Sequence, residues 1–256
     1  MEVTRIHSIL GALPEARLVS RRPFRCPHHS ITVAGLIGGA RGESAGEVAL
    51  AHRGVLFLDE LSEFQRQALD ALRQPLEDGH VSIARADRCV VHPTRFMLLA
   101  TASPCPCGHA GEGDACRCSK AELARHRRRL SRPLLDRIDL HIGLRSGRRG
   151  PHEARARTSS RQARERVLTA REIQARRMEG RPGLNAELDA AALRRHATPD
   201  SGGQRLLDAA RLSGGLGVRG TERALRLART IADLDGRTRI DASHISRALE
   251  MRRDIA

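Results

Sequence analysis

Residues 54–60 read GVLFLDE: a glycine, four apolar residues and two adjacent acids. A continuous apolar run this short reads as a buried strand of a parallel sheet. Its end then delivers Asp59 and Glu60 to the sheet edge. An Asp so placed can hold Mg²⁺ beside nucleotide phosphates when a glycine-rich loop carrying Lys stands next to it. That loop, G-x-x-x-x-G-K-[ST], occurs nowhere in the 256 residues, and the only lysine is Lys120. The acids stand without the phosphate-binding half of such a site.

Composition narrows the partners. Lys and Arg exceed Asp and Glu by 45 to 30, for a net charge of +15 carried almost wholly by Arg. Such an excess points to a polyanion, most simply nucleic acid held through its phosphates. Four Phe with no Trp or Tyr argue against base-stacking platforms of the RRM or OB type. No apolar stretch approaches membrane-spanning length and MEVTRIHSIL lacks the design of a signal peptide, so no membrane partner and a cytoplasmic location are expected.

Outward from the central run, residues 1–20 carry a short helical pattern in Val3, Ile6, Ile9 and Leu10. Residues 24–46, proline- and then glycine-rich, read as a loop or hairpin insertion outside the core. Ser62 to Leu76 reads as one helix with apolar Phe64, Ala68, Leu69 and Leu72. HVSIARADRCVVH (80–92) alternates around a polar turn, as a β-hairpin does. RFMLLATAS (95–103) is a second buried strand, helices follow near 119–130 and in LSRPLLDRI, and LHIGL (140–144) is expected as a last strand. The domains expected are an α/β core over 1–145, a linker over 146–158 and a helical domain over 159–256, with helices near 159–179, 186–197, 202–213, 219–234 and 242–252.

Cys105, Cys107, Cys116 and Cys118 form C-x-C-x₈-C-x-C within a loop at 105–118, with Gly108, Gly111 and Gly113 between the pairs. Four clustered thiolates suit tetrahedral, structural Zn²⁺, and a reducing compartment disfavours two disulfides. The alternative is a set of reduced thiols without a metal. Cys26 and Cys89 stand alone and read as core thiols.

Taken together, RPFRCPHHS (22–30), AHRGVLFLDEL (51–61), SPCPCG with CRC (103–118), LSRPLLDRIDLHI (130–142) and LRLARTIADL (225–234) resemble the ComM-type, magnesium-chelatase-like AAA+ ATPases. The resemblance implies a partial AAA+ α/β module followed by a helical lid, in a chain whose family begins earlier with a strand and a Walker A P-loop. It also implies ATP with Mg²⁺ as cofactor, a homo-oligomeric ring, a hexamer, and DNA as the polymer moved through its pore. Asp59 and Glu60 match the Walker B pair, and Arg137 matches the arginine finger. Arg219 matches the sensor-2 arginine, with Arg223 and Arg226 as nearby alternatives. Ser103 stands where the family usually has the sensor-1 Asn, and a shorter hydroxyl there implies slower hydrolysis. His28 and His29 belong to the PFRxPHH signature, in a structural role. The 80–92 hairpin would be one pore element, with Arg85 and Arg88 at its tip, and the 24–46 insertion a second. Two other readings stand beside this one: a non-hydrolysing fragment that binds nucleic acid or a neighbouring subunit, and the motor subunit of a metal chelatase.

Overall fold

Gly54 explains why the decisive run begins with glycine. A Cβ there would lie 2.1 Å from the Pro23 carbonyl oxygen, and that carbonyl accepts the Val55 amide at 2.9 Å. The contact aligns β1 (Phe24–Arg25) beside β2 (Val55–Leu58). The hairpin strands β3 (His80–Ala84) and β4 (Cys89–Pro93) and the strand β5 (Met97–Ala100) follow. The computed structural model describes residues 1–13, 17–39, 45–84, 89–110, 115–144, 158–178 and 183–252. These fall into two units, Met1–Ile138 and Asp139–Ile255.

In the first unit β1, β2 and β5 form a parallel sheet in that order, with Leu58 opposite Ala100. One face is packed. Leu56 and Leu58 are fully buried against Leu36 of α2 (Val33–Ile37), Val48 of α3 (Glu47–Leu50) and Leu69 of α4 (Arg66–Ala71). On the other face lie Phe24, Val55, Phe57, Met97 and Leu99, of which Phe24 and Met97 are each 61% exposed. The helix α1 (Glu2–Ile9) joins α3 through a hydrogen bond between His7 Nε2 and the Leu50 carbonyl. Hairpin β3–β4 pairs antiparallel as the alternation predicts, and its tip at 85–88, with Arg85 and Arg88, lies outside the described residues.

β5, expected as a buried strand, leaves Met97 and Leu99 exposed on the open face, and four further expectations need correction. Residues 24–46 are not merely an insertion, because they supply β1 and the fully buried Leu36; a bridge between Gly38 and Ala45 is the only hairpin-like pairing described there. The helix expected over 62–76 is broken. A 3₁₀ turn covers Leu61–Glu63, and α4 gives way at Leu72 to α5 (Arg73–Asp78). Pro75 is the reason, since it has no N–H to offer the Ala71 carbonyl. LHIGL forms no strand; its His141 amide donates to the Met251 carbonyl at 2.7 Å, and Asp139 lies 3.7 Å from both Arg223 and Arg252. Cys26 and Cys89 are exposed rather than core thiols, one following an edge strand and the other opening β4 beside the hairpin tip.

The first unit ends with α6 (Lys120–Arg129) and α7 (Arg132–Leu135). The second contains α8 (Ser160–Arg177), α9 (Ala190–His196), α10 (Ser201–Leu212), α11 (Val218–Leu234) and α12 (Ala242–Glu250). The packed face of α11 carries Ala224, Ala228 and Ile231, buried with Leu207 and Ile245. Beside it, buried Asp233 takes a two-pronged ion pair from Arg177 and further bonds from Arg229 and Asn185. A buried carboxylate held by that many donors stays satisfied, whereas deleting a partner would strand charge. Asp241 caps α12, accepting the Ser243 and His244 amides. The linker at 146–158 lies almost entirely outside the described residues.

Candidate functional site

The acid pair sits where the parallel register puts it. Leu58 opposes Ala100, so the next step along both strands sets Asp59 opposite Thr101. The Thr101 hydroxyl donates to Asp59 Oδ1 at 2.5 Å and accepts the Glu60 amide at 3.0 Å. Backbone bonds complete the clamp, from Leu61 N to Thr101 O and from Thr101 N to Leu58 O. One hydroxyl thus fixes both acids relative to the end of β5.

Glu60 also has unusual backbone geometry, with φ 55° and ψ 56°. The left-handed region costs a non-glycine residue on the order of 1 kcal/mol, and such strain gathers at functional sites. The twist turns the chain sharply after β2, leaving both Asp59 and Glu60 exposed at the C-terminal sheet edge. Ligands of open α/β sheets bind at that edge. An exposed carboxylate there can serve as a hard oxygen ligand through water to Mg²⁺, and its neighbour can orient an attacking water.

Thr101 was not singled out in the sequence, although its signal was present: a Thr two positions before Ser103, at the end of the strand that pairs with the acid-bearing run. Ser103 lies exposed beyond it, and its carbonyl accepts the His126 Nε2 hydrogen at 2.8 Å, joining the loop after β5 to α6. The contact to Asp59 belongs to Thr101.

Arg137, just after α7, is held within the first unit. Its Nη2 pairs with Glu77 of α5, its Nη1 donates to the Pro133 carbonyl at 2.6 Å, and its side chain is 16% exposed. Arg219 lies in the first turn of α11, exposed, in the second unit. Its alternatives are engaged: Arg223 stands 3.7 Å from Asp139, and Arg226 donates to the Leu188 carbonyl. His28 and His29 stack with ring centroids 4.0 Å apart, and His29 meets Phe64 edge-on, in keeping with a packing role.

The cysteine loop brings all four thiols together, with every Sγ within 4.8 Å of the others. Cys105 to Cys107, Cys105 to Cys116 and Cys107 to Cys116 measure 3.4, 3.9 and 3.8 Å. Zn–S bonds of about 2.3 Å in a tetrahedron set sulfur–sulfur edges of about 3.8 Å. A disulfide would bring two sulfurs to about 2.05 Å. The geometry fits a metal centre and not a disulfide pair. Electrostatics agree. Amide N–H groups of His109 and Arg117, helped by the Cys105 and Cys118 side chains, hold Cys107 down at about 6. The Cys107 N–H pulls Cys118 down, yet the Cys107 side chain, burial and Cys105 together push it up to about 12. One thiolate forms readily, and a second beside it asks for a cation. Residues 111–114 of the loop lie outside the described residues.

Residues 1–150 match the family model described as magnesium chelatase, subunit ChlI, and residues 157–252 match that of its C-terminal region. An uncharacterized protein of Mycobacterium tuberculosis is 44% identical over 98% of this chain and 50% of its own length. The protein YifB of Escherichia coli is 38% identical over 98% of the chain and 49% of its own length. The competence protein ComM of Haemophilus influenzae is 43% identical over 91% of the chain and 45% of its own length. The chain therefore spans about half the length of the curated relatives it matches. With a parallel sheet ending in an acid pair and a helical C-terminal unit, this chain belongs to the magnesium chelatase subunit ChlI family, as a partial AAA+ α/β module followed by a helical domain.

Proposed function

We propose that these residues form the acid-pair and lid part of an AAA+ ATPase that hydrolyses ATP between the subunits of a ring, a hexamer, and moves DNA. The observation that carries the reading is the strained, Thr101-clamped Asp59–Glu60 pair at the C-terminal edge of a parallel strand. Asp59 would hold Mg²⁺ through water and Glu60 would orient the attacking water, with Ser103 alongside. Bound Mg²⁺ would neutralise charge on the phosphates. Arg137, once released from Glu77, would present its fork to a neighbour's γ-phosphate, and Arg219 would hold the nucleotide from the lid. The phosphate-binding loop would come from sequence outside these 256 residues.

DNA as the polymer is supported by the net charge of +15 and by the likeness to a competence protein. The four cysteines would hold a structural Zn²⁺. The division proposed is 1–145 for the α/β core, 146–158 for a linker and 159–256 for the lid. A cytoplasmic location accords with the absence, among the described residues, of a helix long and apolar enough to cross a membrane. The test is ATP turnover in protein completed by a preceding segment with G-x-x-x-x-G-K-[ST], measured with and without single-stranded DNA. Turnover stimulated by DNA is expected. Turnover indifferent to DNA would remove the polymer from the account and favour the other reading that the family description suggests, a chelatase motor acting on a protein partner.

A further inference from the structure

Between the turn after Glu60 and α6 lies a cavity of about 350 Å³, walled by Arg66, Arg125, Arg128, Arg129, Glu63 and Phe64. Four guanidinium groups face one carboxylate. Glu63 is already committed, bonding Arg129 Nη1 at 2.8 Å, and the same Nη1 lies 3.3 Å from the Ser62 carbonyl. Arg66 reaches Asp70 only at 3.7 Å and is 66% exposed. Arg125 and Arg128 stand three apart on one face of α6, where Glu122, one turn earlier, is an electrostatic neighbour of Arg125. Like charges three apart on a helix repel. The Ser119–Glu122 capping box fixes the start of α6, so the arginines are presented from an ordered frame.

We infer that this cavity is a binding site for a phosphate of a nucleic-acid backbone, with Arg125, Arg128 and Arg66 as its contacts and the Arg129–Glu63 pair as its wall. The guanidinium fork matches phosphate oxygens two at a time. Phe64 is only 5% exposed and is occupied by His29, so a base would find no stacking platform in the cavity. That favours a sugar–phosphate backbone over a free nucleotide, and contact without sequence preference. The cavity begins two residues beyond Glu60, so the bound strand lies next to the acid pair. The inference rests on the DNA part of the reading above and locates that contact.

The test measures binding of a fluorescent oligo-dT to the 256-residue chain over a range of salt. Three proteins are compared: the native chain, Arg125→Ala/Arg128→Ala, and a charge-matched control, Arg194→Ala/Arg205→Ala, from exposed positions in the other unit. Each single-strand phosphate contact contributes about 0.7 to the slope of log affinity against log salt. The cavity variant should therefore have a slope shallower by roughly 1.4, with the control unchanged. Binding with equal slopes in all three, or an equal loss in the control, overturns the site while leaving DNA binding standing. Poly-glutamate displacing the oligonucleotide equally well at matched charge overturns the phosphate assignment in favour of an acidic peptide. No binding by the native chain at low salt overturns both the site and the DNA reading. Thermal melts of the variants, expected to match the native chain because Ala is the strongest helix former, guard against misfolding.

Discussion

Thr101 and Asp59 are joined by a 2.5 Å hydrogen bond across two parallel strands, and the same hydroxyl receives the amide of Glu60. A single side chain on β5 thereby sets the position of two acids on β2. In Thr101→Val the shape is kept and both bonds are lost, at a cost of about 1 kcal/mol at this exposed site. Thr101→Ser should recover most of it. Urea unfolding of the three proteins measures the difference, and equal midpoints would mean the clamp contributes nothing.

Glu60 carries a left-handed backbone that glycine adopts freely. Glu60→Gly is expected to raise stability by roughly 0.5–1 kcal/mol, whereas Glu60→Gln leaves it unchanged. A stabilising substitution at a residue assigned to catalysis is the signature of strain retained for function. A less stable Glu60→Gly protein would contradict this.

Arg137 is seated on Glu77, with its Nε buried and lacking a hydrogen-bond partner. Glu77→Gln would leave most of a guanidinium without its counter-charge, destabilising the first unit by about 1–3 kcal/mol. The Glu77→Gln/Arg137→Met double variant should regain much of that loss. Additive effects in this cycle would show that the two side chains do not interact.

His52 is 2% exposed, accepts the Arg95 amide on Nδ1, and faces Glu2 through Nε2. Burial lowers its pKa, against the opposing pull of Glu2. The unfolded chain then binds a proton that the folded chain refuses, so stability is full above the ordinary imidazole range and falls as pH drops through it. Denaturation at pH 7.5 and pH 5 should show this loss, and His52→Asn should diminish it. A pH response identical in the variant would assign the effect elsewhere.

The cysteine cluster should hold about one Zn²⁺ per chain when purified without added metal. Cys116→Ser/Cys118→Ser should lose the metal and melt earlier. Metal-free native protein with four titratable thiols would rule the centre out.

How far the sequence could be read follows from which interactions are local. The β2 run, the hairpin and the helices of the second unit were legible because each is announced by its own period or cap, as with Asp241 before α12. The cysteine cluster was legible because its four thiols share one loop. Thr101 was missed because its role depends on register between strands some forty residues apart. The break between α4 and α5 could have been read from Pro75, but a run of apolar residues at helical spacing masked it. LHIGL looked like a strand because it alternates; what decides its fate is Asp139 beside Arg223 and Arg252, a long-range attachment invisible in the local pattern. The partnership of Arg137 with Glu77 is likewise a tertiary fact, sixty residues apart.

We propose Asp59 and Glu60 as the acid half of a phosphoryl-transfer site. Steady-state ATP hydrolysis tests it most directly, measured on the 256-residue chain, on the protein completed by a segment bearing G-x-x-x-x-G-K-[ST], and on the completed protein with Glu60→Gln. No turnover is expected from the chain alone, because the Lys and backbone nest for the β- and γ-phosphates are absent from it; the completed protein should turn over, and Glu60→Gln should lower that by at least about a hundredfold. Turnover by the chain alone that vanishes with Glu60→Gln, or turnover in the completed protein that survives it, would contradict the claim.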